Sequence, residues 1–433
     1  MSFAFLLGSL AAAFALAADV PSTAVGTYLQ ETAQTYTTAD GLPSDDVQRV
    51  VIGQNERVIA LTADDAVELN GTTWSATNAV RAAQARPAVD ANMRKYFPGA
   101  ETINSFVVKV GTAAVGTEGG LFLASSSGWA PLFPADATRS WAPRGIKAVE
   151  YDAKGRLWFA CPQGVGVLEG ASWTLYEGRD GLPYNDFTCM AAAPDGSVWF
   201  GTTKGAIHFD GEHWEYRQGR RWLPDDHVRA IAVTADGAAY FATAKGVGVI
   251  KRVSMTLAEK AKFYEDEIDK YHRRTPYGYV LEVGLPEPGR KENVRQQDSD
   301  NDGLWTAMYG AGECFAYAAT KDPAARERAQ KAFDALEFLG KVTQGGEHSP
   351  PKGYVARTIL PTSGHDPNIG RIQGDQREHD EGDKLWKVYE PRWPKSADGQ
   401  WYWKSDTSSD ELDGHYFFYA QYFDLVCETD AER

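Results

Sequence analysis

From residue 45 to residue 251 apolar and polar positions alternate in short runs, each closed by a Gly- or Asp-containing turn, which is the period-2 signature of β-strands. The runs recur in register. Trp158 and Trp199 lie 41 residues apart, Tyr240 follows after another 41, and Trp173 with Trp214 and Leu182-Pro183 with Leu223-Pro224 keep the same spacing. One unit reads DFTCMAAAPDGSVWFGTTKGAIHFDGEHWEYRQG and the next DHVRAIAVTADGAAYFATAKGVGVI, with weaker copies at 105–132 and 45–74. About four strands per unit predict the blades of a β-propeller. The fifth unit stops at Val249-Ile250-Lys251 without its outer strand. Residues 35–43, TYTTADGLP, align with 175–183, LYEGRDGLP, and have no blade of their own. Pairing the two ends predicts about five four-stranded blades over 27–252, the ring closed by the N-terminal strand so that no sheet edge stays open. Residues 80–104 read as an insertion between the first two blades.

The period changes at Ser254. Leu257, Ala261, Tyr264, Ile268 and Tyr271 stand at helical spacing with charges opposite. Further helices are predicted at about 303–319 and 323–342, broken at Thr320-Lys321-Asp322-Pro323, where Pro323 suits a first helical turn. A polar, aromatic, Gly/Pro-rich stretch spans 344–405, and a last helix covers about 409–427. The segment 364–383 within that stretch reads as a solvated lid loop.

Two resemblances follow from these residues. DGLPSDDV, DGLPYNDF and GRRWLPDDHV, with WFACPQGVGVL and WFGTTKGAIHF, resemble the propeller repeats of two-component regulators, which form extracellular sensor domains. The helix pair TKDPAARERAQKAFDALEFL resembles the inner-to-outer connection of (α/α)-toroid carbohydrate-active enzymes, glycoside hydrolases and polysaccharide lyases alike. The expected fold is therefore multidomain: an all-β propeller followed by an all-α partial (α/α) toroid over 256–433. The chain ends just after an inner-type helix carrying Phe417, Phe418, Tyr419, Tyr422, Phe423 and Leu425, so the toroid is expected to be truncated at its C-terminus.

In the toroid enzymes the resemblance implies a cleft at one end of the inner helices, and both inner-helix candidates begin with acidic clusters. Asp302, Thr306, Tyr309 and Glu313 form a polar stripe on an otherwise apolar helix. Asp410, Glu411 and His415 open the last helix. A hydrolase needs two carboxyls, one acid and one base or nucleophile; a lyase needs a Tyr or His base and a group that neutralises a uronate. Asp302, Tyr309, Asp410, Glu411 and His415 are the candidate catalytic residues. Asp300, Trp305, Arg357, Trp401, Trp403 and Asp406 are the candidate substrate-binding residues, the tryptophans by stacking on sugar rings. Simple capping by Asp302, Asp410 or a Ser408–Glu411 box is the competing structural role. No metal or cofactor is expected. Asp298, Asp300 and Asp302 match the first half of an EF-hand calcium loop, but its twelfth position is Tyr309 rather than Glu.

Composition then narrows the partners. Asp and Glu number 59 against 44 Lys and Arg, a net charge of −15, which disfavours nucleic acid. The four cysteines show no CxxC spacing, so neither a zinc ribbon nor a disulfide framework is implied. Residues 1–18 are an apolar run with Ala15-Leu16-Ala17 as an A-x-A cleavage pattern and resemble a secretory signal peptide, so the protein is expected to be secreted or periplasmic with no membrane span in the mature chain. The expected function is an exported enzyme cleaving the glycosidic bonds of a polysaccharide or oligosaccharide. The alternative is a non-catalytic extracellular ligand-binding or sensor propeller.

Overall fold

The computed structural model describes residues 26–77, 103–125, 128–287, 289–296, 298 and 300–433. The signal-like segment and nearly all of the insertion at 80–104 lie outside the described residues. The chain divides into two units, one of residues 28–255 with 287–290 and one holding 256–286 and 291–433.

The first unit contains five four-stranded antiparallel sheets among the described residues. Sheet one runs from Arg49 to Ala76, sheet two from Ile103 to Leu132, sheet three from Ala148 to Tyr176 and sheet four from Phe187 to Arg217. Sheet five takes three strands between Ala230 and Thr256 and, as its outer strand, Thr27–Tyr36 from the N-terminus. The repeat positions are structurally equivalent: Trp158 faces Val167, Trp199 faces His208 and Tyr240 faces Val249 across the same strand pair of successive sheets. Trp158 and Trp199 are buried and pack on aromatic neighbours, Trp199 edge-on to Phe241 at 5.2 Å. They are packing residues, as their repeat spacing implies.

The Asp-Gly-Leu-Pro motif has a local cause. Asp40 accepts from Thr37 N–H at 2.8 Å and Asp180 from Glu177 N–H at 2.8 Å, closing a single 3₁₀ turn. Gly41 and Gly181 then take φ of 96° and 92°, open to glycine without strain. The next residue, Leu42 or Leu182, drops into the core. Backbone bonds link neighbouring sheets: Ile146 N–H to Thr117 O, Val228 N–H to Thr202 O and Val47 N–H to Thr243 O, each 3.0 Å.

The second unit contains helices α1 (Leu257–Glu267), α2 (Asp302–Thr320), α3 (Pro323–Lys341), α4 (Arg371–Glu381) and α5 (Ser409–Leu425). Lys321, with φ of 57°, ends α2; the Asp322 carboxylate accepts from Ala324 N–H at 3.0 Å and Pro323 opens α3. Gly303 lies against Glu411 and His415, Gly310 against Phe418, and Tyr317 bonds to Glu428. Those pairs advance together along both helices, so α2 and α5 are parallel, while α3 turns back on α2. Phe418 and Tyr422 are buried, whereas Phe417 and Phe423 remain exposed.

Two expectations for 344–405 are corrected. The segment read as a solvated lid loop contains α4, anchored by the ion pair of buried Asp375 with buried Arg392 at 2.7 Å. The aromatics read as stacking platforms are partly core, because a short strand pair, Ile359–Pro361 with Trp401–Trp403, draws them inward. Trp403 is only 3% exposed, Trp393 and Tyr402 are likewise buried, and Trp401 packs on Tyr277 and Phe338.

Candidate functional site

The parallel packing of α2 and α5 sets their N-terminal ends side by side, and most predicted site residues gather there. Asp302 is 0% exposed, and its Oδ2 is bound by the Arg274 guanidinium and, at 2.6 Å, by the Thr358 hydroxyl. Glu411 is also 0% exposed and accepts from Leu304 N–H at 2.8 Å through Oε2. His415, 1% exposed, has Nδ1 at 2.8 Å from Glu411 O. That carbonyl accepts only, so Nδ1 carries the proton and Nε2 holds a lone pair. Asp302 Oδ1, Glu411 Oε1 and His415 Nε2 are buried without a hydrogen-bond partner. Burial pushes the Glu411 carboxyl up to about 8, with nearby Asp302 adding to the effect. It raises Asp302 too, against the pull of Arg274, and lowers His415.

The capping roles are not made. The N-cap of α2 is Asn301, and the Glu411 carboxylate serves Leu304 of the neighbouring helix rather than its own Ser408.

The other predicted residues divide. Asp410 is exposed, faces the Ser408 hydroxyl and lies below the usual carboxylate range for that reason. Tyr309 stands two turns along α2 from Asp302, away from the paired helix ends, its hydroxyl 2.8 Å from Glu265 and 2.8 Å from Arg273. The polar stripe it belongs to packs on 273–280: Asp302 on Arg274, Thr306 accepting from Val280 N–H at 3.0 Å and Tyr309 on Arg273. Glu313, at the end of the stripe, is pushed up to about 8 by burial and by a hydrogen bond shared with Glu265.

At the surface above α2, Trp305 is 42% exposed and half-buried Arg357 donates from Nε to Asp300 O at 2.6 Å. The Asp300 carboxylate binds buried Lys404, and Asp406 binds Arg392. Of the calcium-loop pattern, Asp300 faces a lysine and Asp302 an arginine.

A further polar cluster lies in the first unit. Glu31, His208 and Glu215 bring ligand atoms within 4.8 Å of one another. Arg217 contacts Glu31 at 2.5 Å and Glu215 at 3.3 Å, and Arg252 contacts Glu215 at 3.4 Å. Two guanidiniums already neutralise both carboxylates, so a divalent cation there would meet like charge. The cluster ties the N-terminal strand to sheet four.

Residues 181–204 match the family described as two component regulator propeller. The match covers one repeat of the first unit. Among solved structures the chain is similar to an extracellular domain described as part of a hybrid two component system from B. thetaiotaomicron. The identity is 15% and the TM-score 0.31, over 53% of this chain and 37% of that one. An extracellular domain of a one component system from the same organism gives 14% and 0.30, over 48% and 27%. A catalytically inactive virginiamycin B lyase from Staphylococcus aureus gives 14% and 0.25, over 60% and 77%. The chain thus spans well under half the length of the first two, and likenesses at these values carry nothing on chemistry. No curated protein matches the sequence. No described helix is long and apolar enough to cross a membrane.

Proposed function

We propose that this is an extracytoplasmic protein that binds a carbohydrate ligand without cleaving it. The observation that carries the reading is the burial of Asp302, Glu411 and His415, at 0%, 0% and 1% exposure. A group that attacks or protonates a glycosidic bond must lie within hydrogen-bond reach of it. A regulator-type propeller repeat supports the same reading. The ring of five blades closes through the N-terminal strand, and α2, α3 and α5 have the parallel-inner, antiparallel-outer relation of an (α/α) toroid. The accessible rim is Trp305, Arg357 and Asp410 at the paired helix ends: an aromatic face for a sugar ring with charged groups for its hydroxyls or carboxylate.

A second reading, cleavage by hydrolysis or β-elimination, is favoured by one observation. Glu411, held near 8, keeps its proton at neutral pH close to Asp302, whose Arg274 partner favours the ionised form. An acid and a base of that kind are what a glycoside hydrolase sets on either side of its bond. The experiment is a polysaccharide panel scored for binding, for new reducing ends and for absorbance near 235 nm. Glycan affinity with neither chemical signal is expected. Reducing ends alone would establish hydrolysis, both signals together β-elimination, and either would overturn the binding reading.

A further inference from the structure

The four cysteines stand as free thiols, and two of them, Cys314 and Cys427, belong to one buried cluster, with the Cys427 thiol donating to Glu432 O at 3.1 Å. Cys314 is on the face of α2 that packs on α5, and Cys427 is the second residue beyond the end of α5. Because the two helices run parallel, their C-terminal ends converge as their N-terminal ends do. Tyr317, three residues after Cys314, bonds through its hydroxyl to Glu428, the neighbour of Cys427. The Cys427 amide is held in place by donating to Tyr422 O at 3.2 Å. Both cysteines belong to one buried cluster with Tyr317, Tyr422 and Val426. They are near enough that negative charge at Cys427 raises the cost of ionising Cys314. The other two thiols are separated: Cys161 packs with Leu121 and Phe159, Cys189 with the Trp199 and Phe241 cluster.

We infer that Cys314 and Cys427 form a disulfide that staples the end of α5 to α2 when the chain folds under oxidising conditions. The oxidant is a small disulfide or a disulfide-bearing oxidoreductase. The Cys427 thiolate, at the more accessible end, attacks one sulfur of oxidised glutathione and expels glutathione thiolate. The Cys314 thiolate then attacks Cys427 Sγ in the mixed disulfide and expels the second glutathione. Two protons leave the cysteines, and two electrons pass to the oxidant, which ends as two glutathiones. The link closes a loop of more than a hundred residues, the regime in which a disulfide restricts the unfolded chain most. Export, where thiols meet such oxidants, is the setting in which the pair would be used.

The test is a thiol count in denaturant on the full chain folded with oxidised glutathione, followed by a non-reducing peptide map. Thiols are expected to fall from four per chain to two, with a single linked peptide joining Cys314 to Cys427. Reductant should then lower the thermal midpoint of the helical signal at 222 nm by several degrees, and should not lower it in a Cys427→Ser protein. Four remaining thiols, or a link that includes Cys161 or Cys189, would overturn the inference. Wild-type protein answers the count and the map even where Cys427→Ser fails to fold.

Discussion

Replacing Glu411 by Gln should make the helical unit more stable at alkaline pH. Glu411 is fully buried, accepts one bond from Leu304 N–H and has its other oxygen unpartnered. Its carboxyl moves from an ordinary value of 4.5 to about 8. A carboxyl raised in the folded state binds its proton more tightly there than in the unfolded chain. Stability is therefore highest below 4.5, is lost as pH rises from 4.5 to about 8, and changes no further above that. His415 acts in the opposite sense, since its folded value lies below 6.5, so its contribution changes only below pH 6.5. The interval from 6.5 to 8.5 isolates the carboxyls. Within it Glu411 covers about 1.5 pH units at ~1.4 kcal/mol each, or about 2 kcal/mol.

Gln is isosteric with the protonated acid, keeps the acceptor for Leu304 and cannot ionise. Glu411→Gln should lose about 2 kcal/mol less than wild type between pH 6.5 and 8.5. Glu313 and the thiols titrate alike in both proteins and cancel in the comparison. Urea unfolding followed at 222 nm reports the helical unit, since the described residues of the first unit form strands, loops and short turns and no α-helix. Equal losses in the two proteins over that interval would refute the reasoning.

Asp302→Asn should cost about 3–5 kcal/mol, because it leaves buried Arg274 without its counter-charge; urea midpoints at pH 7 would show it, and a cost under 1 kcal/mol would place Arg274 in water. Gly310→Ala should cost at least about 1–3 kcal/mol, since a Cβ there would stand 2.6 Å from Phe418 and 2.8 Å from Ala332; an unchanged midpoint would mean that α2 and α5 are not packed at this crossing. Glu31→Ala should expose the N-terminal strand to limited proteolysis before any other site in the propeller, as it removes the carboxylate held by Arg217 at 2.5 Å, and a wild-type digestion pattern would deny the clasp its role.

The parts legible in the sequence are those specified locally. The 41-residue period found the sheets because each blade repeats one pattern, and the incomplete fifth unit pointed to the N-terminal strand as its missing edge. Asp322 and Pro323 marked the α2–α3 break through their own backbone chemistry. α4 was not legible: RIQGDQREHDE has no apolar stripe, and its one buried anchor, Asp375, finds Arg392 seventeen residues away. The burial of Trp403 was not legible, because aromatic density in a Gly/Pro-rich stretch resembles a surface platform, whereas the three-residue ladder from Ile359 that buries it leaves no periodicity. His208 and Glu215 face each other across one hairpin, but Glu31 comes from the N-terminal strand and nothing in its spacing joins it to them. The acidic starts of α2 and α5 were visible, but whether they met depended on the two helices running parallel.

That parallel arrangement also accounts for the acids. Two helices packed parallel bring their partial positive N-terminal ends together, an unfavourable arrangement that carboxylates at those ends offset. Asp302 supplies charge in the first turn of α2 and Asp410 in the first turn of α5. Glu411 reaches across to accept an otherwise unpaired N–H of α2. Asp302, Asp410 and Glu411 thus share a structural task at the helix ends, and the exposed member separates that task from catalysis. Asp410→Asn removes only the charge, so it should cost about 0.3–1 kcal/mol at low salt and almost nothing at 1 M salt, where the field is screened within about 3 Å. A cost that survives high salt would refute the dipole account. A loss of glycan cleavage with unchanged stability would move Asp410 into a reacting site and overturn the binding reading as well.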